Sequence, residues 1–137
     1  MLRKDAKVEL LKSAPLFARC SKRELQQIAS LADEVDLPAG KKLIREGSFA
    51  SEFFVLIEGS ADVVRSGRRI KRLNDGDFLG EIALVTNRPR TATVTTTSPT
   101  RALVLTGGAF LDLLADSQTI QLKVLEALGD RLAHDSL

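Results

Sequence analysis

The sequence predicts an α+β fold that is mainly β: a β-jelly-roll barrel flanked by N-terminal helices and two C-terminal helices. Three observations point there. Helical periodicity is confined to the two ends of the 137 residues. Between the ends, short apolar runs are cut by glycine-containing turns about every eight to twelve residues, the spacing of a barrel or sandwich. Strands and helices do not alternate as βαβ units would require. One domain of this length buries a core without disulfides. Its expected parts are helices over 1–33, the barrel over 34–106 and helices over 107–137.

The elements follow in order. Residues 4–33 read as helical in two pieces. Val8, Leu10 and Leu11 form an apolar cluster before Pro15 interrupts, and Leu16-Phe17 reads as one turn plugging a ring into the core. Ser21-Lys22-Arg23-Glu24 fits a capping box, with Leu25, Ile28, Ala29 and Ala32 on one face behind it. From Val35 and Leu37 the period becomes that of a strand. Phe53-Phe54-Val55-Leu56-Ile57 is dense enough to be buried on both faces. Arg65-Ser66-Gly67-Arg68 is a hairpin turn, Asn74-Asp75-Gly76-Asp77 another turn, and Thr91 to Thr97 and Ala102 to Leu105 are the last strands. Phe110, Leu113 and Leu114 share a face of a short helix. Ser117 then caps a final helix whose expected stripe is Ile120, Val124, Leu125, Leu128 and Leu132.

Composition excludes several classes. An apolar fraction of 44% and a charged fraction of 28% are those of an ordinary globular protein. The net charge of +2 is scattered along the chain, so no nucleic-acid partner is expected. No apolar run reaches membrane-span length, and the charged N-terminus lacks an export signal; the expectation is a cytoplasmic protein with no membrane partner. A single cysteine, Cys20, allows no internal disulfide and reads as a half-buried packing residue. His134, close to the C-terminus, is the one histidine: a histidine triad would have to use it, and a multi-histidine metal site is excluded. Asp75 and Asp77 flank a turn glycine, and turn chemistry accounts for them. No enzyme, metal or cofactor is expected.

The chemistry concentrates in residues 77–94. Gly80 precedes a very short helical segment, Glu81-Ile82-Ala83-Leu84, whose free N–H groups and partial positive charge suit an anion. Arg90 follows where a strand opens and can add a full charge with a forked donor set. Taken singly, Arg90 reads as a solvated arginine at a strand start and Glu81 as an acid favoured by the helix dipole; taken together with Gly80 they point to a pocket for one phosphate.

Phe78-Leu79-Gly80-Glu81-Ile82-Ala83-Leu84, then Arg88-Pro89-Arg90-Thr91-Ala92-Thr93-Val94, resembles the phosphate-binding cassette of the cyclic nucleotide-binding domain family. The family pattern is roughly Phe-Gly-Glu-Leu-Ala-Leu, a short spacer, then Pro-Arg-x-Ala-Thr. The likeness extends over nearly the whole chain, including Phe54-Val55-Leu56-Ile57-Glu58-Gly59. The resemblance implies that Arg90 binds the exocyclic phosphate and that Glu81 accepts from the ribose 2′-hydroxyl. It implies that backbone N–H groups around Gly80, Ile82 and Ala83 hold the sugar-phosphate, with Leu79, Thr91 and Ala92 beside it. The implied ligand is cAMP, with cGMP the alternative because a hydroxyl follows the arginine at Thr91.

Leu79 and Ile82 depart from the usual family residues but keep an apolar wall. Trp and Tyr are absent, so the aromatic that caps the base in many relatives has no counterpart. Leu122, Val124, Leu125, Leu128 and His134 are the candidates on the final helix. The resemblance implies a signalling receptor or regulatory domain whose C-terminal helix moves with ligand. It would act alone on an unidentified effector, or be fused to an effector domain in a longer parent chain, with the stand-alone form expected. The alternative is a non-binding structural or protein-interaction module that keeps the fold.

Overall fold

The computed structural model describes residues 2–135, apart from the side chains of Arg131, His134 and Asp135. Among the described residues the chain forms α1 (Lys4–Lys12), a 3₁₀ turn (Pro15–Phe17), α2 (Lys22–Ala29), eight strands and two closing helices. The strands are β1 (Asp33–Leu37), β2 (Lys42–Ile44), β3 (Glu52–Glu58), β4 (Ala61–Arg65), β5 (Arg68–Leu73), β6 (Phe78–Leu79), β7 (Thr93–Thr96) and β8 (Thr100–Thr106). A second 3₁₀ turn, Glu81–Leu84, lies between β6 and β7; α3 (Gly107–Asp116) and α4 (Gln118–Asp135) follow.

The jelly roll is two open four-stranded sheets and not the closed barrel that strand spacing suggested. One sheet has the order β1-β8-β3-β6 and the other β2-β7-β4-β5. Every pairing is antiparallel, and most join strands far apart in sequence, such as β1 with β8. Local pattern sets strand length, whereas closure depends on these distant partners, so spacing alone cannot distinguish the two. The helical stretch expected to reach residue 33 stops sooner, because β1 already starts at Asp33 to pair with Val104. The strand expected from Thr91 starts at Thr93. Before it, the Arg90 backbone is held by the β2–β3 loop: its N–H donates to Ser48 O at 2.7 Å and its carbonyl accepts from Gly47 N at 2.8 Å.

Local chemistry explains the turns. Ser66 and Gly67 have φ of 51° and 78°, both left-handed, as a two-residue type I′ hairpin between β4 and β5 requires. The Ser21 hydroxyl accepts from Glu24 N, and the Glu24 carboxylate accepts from Ser21 N, completing the expected capping box. Ser117 caps α4 by accepting from Ile120 N at 3.3 Å.

Two cores result. The larger joins the helices to one sheet around Phe17, Phe53 and Phe110, whose rings meet edge to face at 5.5–5.8 Å. The smaller lies between the sheets around Phe54, Leu56, Leu79 and Ala102. Helix α4 packs against the turn at Pro15–Phe17, and it does so with Ile120, Val124 and Ala127 buried. The stripe expected on α4 is therefore corrected: Leu125 and Leu132 are exposed. The helix carries two apolar stripes, one through Ile120 and Val124 and one through Leu122, Leu125 and Leu132. Periodicity cannot choose the inward one.

Candidate functional site

Gly80 is the pivot of the site. Its φ of 83° is left-handed, which glycine adopts without strain. A Cβ built there would lie 2.6 Å from Arg90 Nη1 and 2.7 Å from the Glu52 carbonyl oxygen. Glycine thus both turns the chain from β6 into the 3₁₀ turn and lets the guanidinium lie against the backbone. The turn closes through Ala83 N to Gly80 O at 3.1 Å.

Arg90 is buried, with 8% of its surface exposed. Its Nη2 donates to Glu52 O at 2.5 Å. Its Nε is buried and has no hydrogen-bond partner among the described residues. Burial pushes the guanidinium below its usual pKa, partly opposed by the Glu52 charge. A buried arginine with a donor unused beside a cleft can receive an anion.

Two adjoining clefts meet at this arginine. The first, about 250 Å³, is lined by Leu79, Gly80, Arg90, Thr91 and Ala92 on one side and by Val63, Arg65, Lys71 and Leu73 on the other. The second, about 300 Å³, is lined by Gly80, Glu81, Ile82, Ala83, Arg88, Arg90 and Thr91. All eight residues singled out from the sequence line one cleft or the other. The first is a mainly apolar slot between the sheets with Arg65, Lys71 and Arg90 as its basic residues; the second wraps the 3₁₀ turn.

Glu81 is 5% exposed, and its Oε2 accepts from Leu16 N at 3.0 Å. The carboxylate that the resemblance assigns to a ribose thus also reaches into the N-terminal turn, a link across 65 residues of sequence. Ile82 is partly exposed at the cleft rim.

Sequence reading missed Val63, Arg65, Lys71 and Leu73. The signal was present: alternation along β4 and β5, joined by a two-residue hairpin, puts these positions on one face. Arg65 Nε donates to Thr91 O at 3.1 Å, so this hairpin is tied to the residue after Arg90. The candidates for covering a base fare differently. Val124 is in the core, Leu122 and Leu125 are exposed, and neither they nor Leu128 lines these two clefts. Helix α4 lies on the N-terminal turn and not over the slot. The His134 side chain is outside the described residues.

Jelly-roll sheets, a glycine-started 3₁₀ turn and a buried arginine facing a cleft define a receptor domain for a small anion. The model of one family, the cyclic nucleotide-binding domain, matches residues 34–117, and the chain belongs to that family. A cAMP-dependent protein kinase regulatory subunit from Mycosarcoma maydis is 33% identical over 115 residues, covering 77% of this chain and 22% of the relative. This chain therefore spans under a quarter of that relative's length. The N-terminal domain of a transcriptional regulator from Streptomyces coelicolor A3(2) superposes with a TM-score of 0.84 at 26% identity, covering 93% of this chain and 94% of that one. A solved chain described as cAMP-bound PfPKA-R superposes with a TM-score of 0.68 at 26% identity, covering 92% of this chain and 47% of that one.

Proposed function

We propose that this domain is a cAMP receptor, and that Arg90 takes the cyclic phosphate. The observation that carries this is the buried guanidinium with an unused Nε at the junction of two clefts. The backbone N–H groups at the start of the 3₁₀ turn hold the sugar-phosphate, and Glu81 accepts from the ribose 2′-hydroxyl. The base lies in the slot between the sheets, against Val63 and Leu73. cGMP is the second ligand; Thr91, exposed at the cleft, is the hydroxyl that favours it. Binding needs no metal or cofactor, because Arg90 supplies the positive charge, and the ligand is released unchanged. The likeness to a kinase regulatory subunit supports a regulatory role toward an effector, either a separate protein or a further segment of a longer chain.

Isothermal titration with cAMP and cGMP tests the reading. The expected result is a one-site isotherm with micromolar or tighter affinity for cAMP. No heat and no competition at millimolar nucleotide would sink it.

A further inference from the structure

We propose that the β4–β5 hairpin is a docking edge for an acidic, extended segment of a partner protein, which adds as a strand alongside β5. The inference stands apart from the cyclic-nucleotide reading. Strand β5 ends its sheet: the order is β2-β7-β4-β5, and β4 is the one strand paired with it among the described residues. Its outer edge therefore offers a row of backbone donors and acceptors to a further strand. A sheet strand usually buries one face, but Arg68, Arg69, Ile70, Lys71 and Arg72 are all exposed and only Leu73 is buried. The register shifts between Val63 and Val64, which face Lys71 and Arg69 respectively. Ile70 is thus the unopposed residue of a bulge, and it is 49% exposed.

Charge decides what can pair there. Lys and Arg occur along the whole chain, yet residues 61–73 hold five cations, Arg65, Arg68, Arg69, Lys71 and Arg72, against the single acid Asp62. The hairpin is thus +4 in a chain of net +2, which leaves the remaining residues together at −2. Asp62 is already taken by Arg72, whose Nε is 2.9 Å away, with Arg69 Nη1 at 3.9 Å. Glu46 reaches the turn but accepts from the Ser66 N–H. Arg65 and Lys71 line the slot between the sheets, which leaves Arg68, Arg69 and Arg72 for a partner. Like charges and a bulge on an edge keep a copy of the same strand away. The same one-sign charge attracts a strand bearing Asp and Glu, because opposite charges facing across a ladder add to its stability. Ile70 gives an apolar side chain of that strand something to meet. Backbone groups along an edge are answered by another backbone, and these cations sit on a ribbon two strands wide; both favour a peptide over a lipid surface or a nucleic acid. Strand β1 is also an acidic edge, but its Glu34 accepts from Leu2 N and its Asp36 pairs with Arg101, so a second copy is the lesser candidate.

The test titrates the intact chain into two short fluorescein-labelled peptides of equal charge. One alternates Glu with Val and forms a strand with its acids on one face; the other alternates Glu with Pro and cannot complete a ladder. Anisotropy should show the Glu-Val peptide binding in a salt-sensitive way and the Glu-Pro peptide binding about tenfold more weakly or less. Hydrogen exchange of the β5 amides should slow when the Glu-Val peptide is bound. Replacing Arg68→Glu together with Arg69→Glu should weaken that binding by about tenfold or more. Replacing Lys22→Glu together with Arg23→Glu on α2 should leave it unchanged. All four positions are exposed, and amide NMR spectra of both variants verify the fold. Equal affinity for the two peptides, unchanged affinity in the Arg68/Arg69 variant, or an equal loss in the α2 variant overturns the proposal. So does tighter binding to phosphatidylserine vesicles or to a single-stranded oligonucleotide than to the Glu-Val peptide. Concentration-dependent self-association that the Arg68/Arg69 variant loses also overturns it, and makes a second copy the occupant.

Discussion

Replacing Arg90 by methionine removes the guanidinium and keeps an unbranched stem in the same slot. Two opposing effects follow from the geometry. The buried Nε without a partner among the described residues costs the ligand-free protein about 1–3 kcal/mol, and that cost disappears. The charged donor bond from Nη2 to Glu52 O, contributing about 1.5–3 kcal/mol, disappears as well. The backbone contacts of residue 90 with Ser48 and Gly47 do not depend on the side chain. Ligand-free stability should therefore change by less than about 2 kcal/mol. Ligand binding has no such compensation. For the natural protein, cAMP at a hundred times Kd adds about 2.7 kcal/mol. At roughly 3–5 °C per kcal/mol for this length, Tm rises by about 8–13 °C. A ten- to hundredfold weaker variant at the same concentration gains only about 0.4–1.4 kcal/mol. Differential scanning fluorimetry with and without cAMP measures both quantities. A ligand-free Tm lowered by more than about 10 °C would make Arg90 a structural strut. An undiminished ligand shift would place the phosphate elsewhere.

Gly80→Ala tests the pivot. A left-handed non-glycine residue costs about 1–2 kcal/mol, and the new Cβ would meet Arg90 Nη1 at 2.6 Å. Denaturant titration should show the loss of stability and calorimetry a weaker cAMP isotherm; wild-type affinity would show that Arg90 does not need its observed position. Cys20 gives a pH prediction. Burial, with help from Glu24, pushes its thiol up to about 11. Because the thiolate is the reactive form, alkylation by iodoacetamide should be slow at pH 8 and accelerate only toward pH 11. Rapid alkylation at neutral pH would contradict the burial described.

What the sequence disclosed and what it withheld divide by range. The cap at Ser21, the hairpin at Ser66-Gly67 and the doubly buried strand around Phe54 depend on a few neighbouring residues, and each is where periodicity or turn chemistry puts it. The cassette was legible for the same reason: Gly80 to Ala83 and Arg90 to Ala92 lie within one short stretch. The basic wall formed by Arg65 and Lys71 was not, because facing the cleft requires β4 and β5, in the same sheet as β7, to lie across from β6 of the other sheet. The Glu81 bond to Leu16 was hidden by its 65-residue separation. On α4 the failure was of another kind. Two apolar stripes compete for one core, and packing on Pro15–Phe17 decides between them.

The junction of the two closing helices has a mechanical consequence. Helices α3 and α4 are separated by Ser117 alone, at φ −130° and ψ 99°, an extended conformation between two rigid rods. Helix α4 has 18 residues and is thus about 27 Å long. A rotation of ~20° about that single residue would carry its far end through ~9 Å, on the lever set by the rise per residue. A displacement of an ångström one turn beyond Ser117 would thereby be magnified severalfold at the far end of α4. The backbone torsions of one serine would set the direction of such a swing.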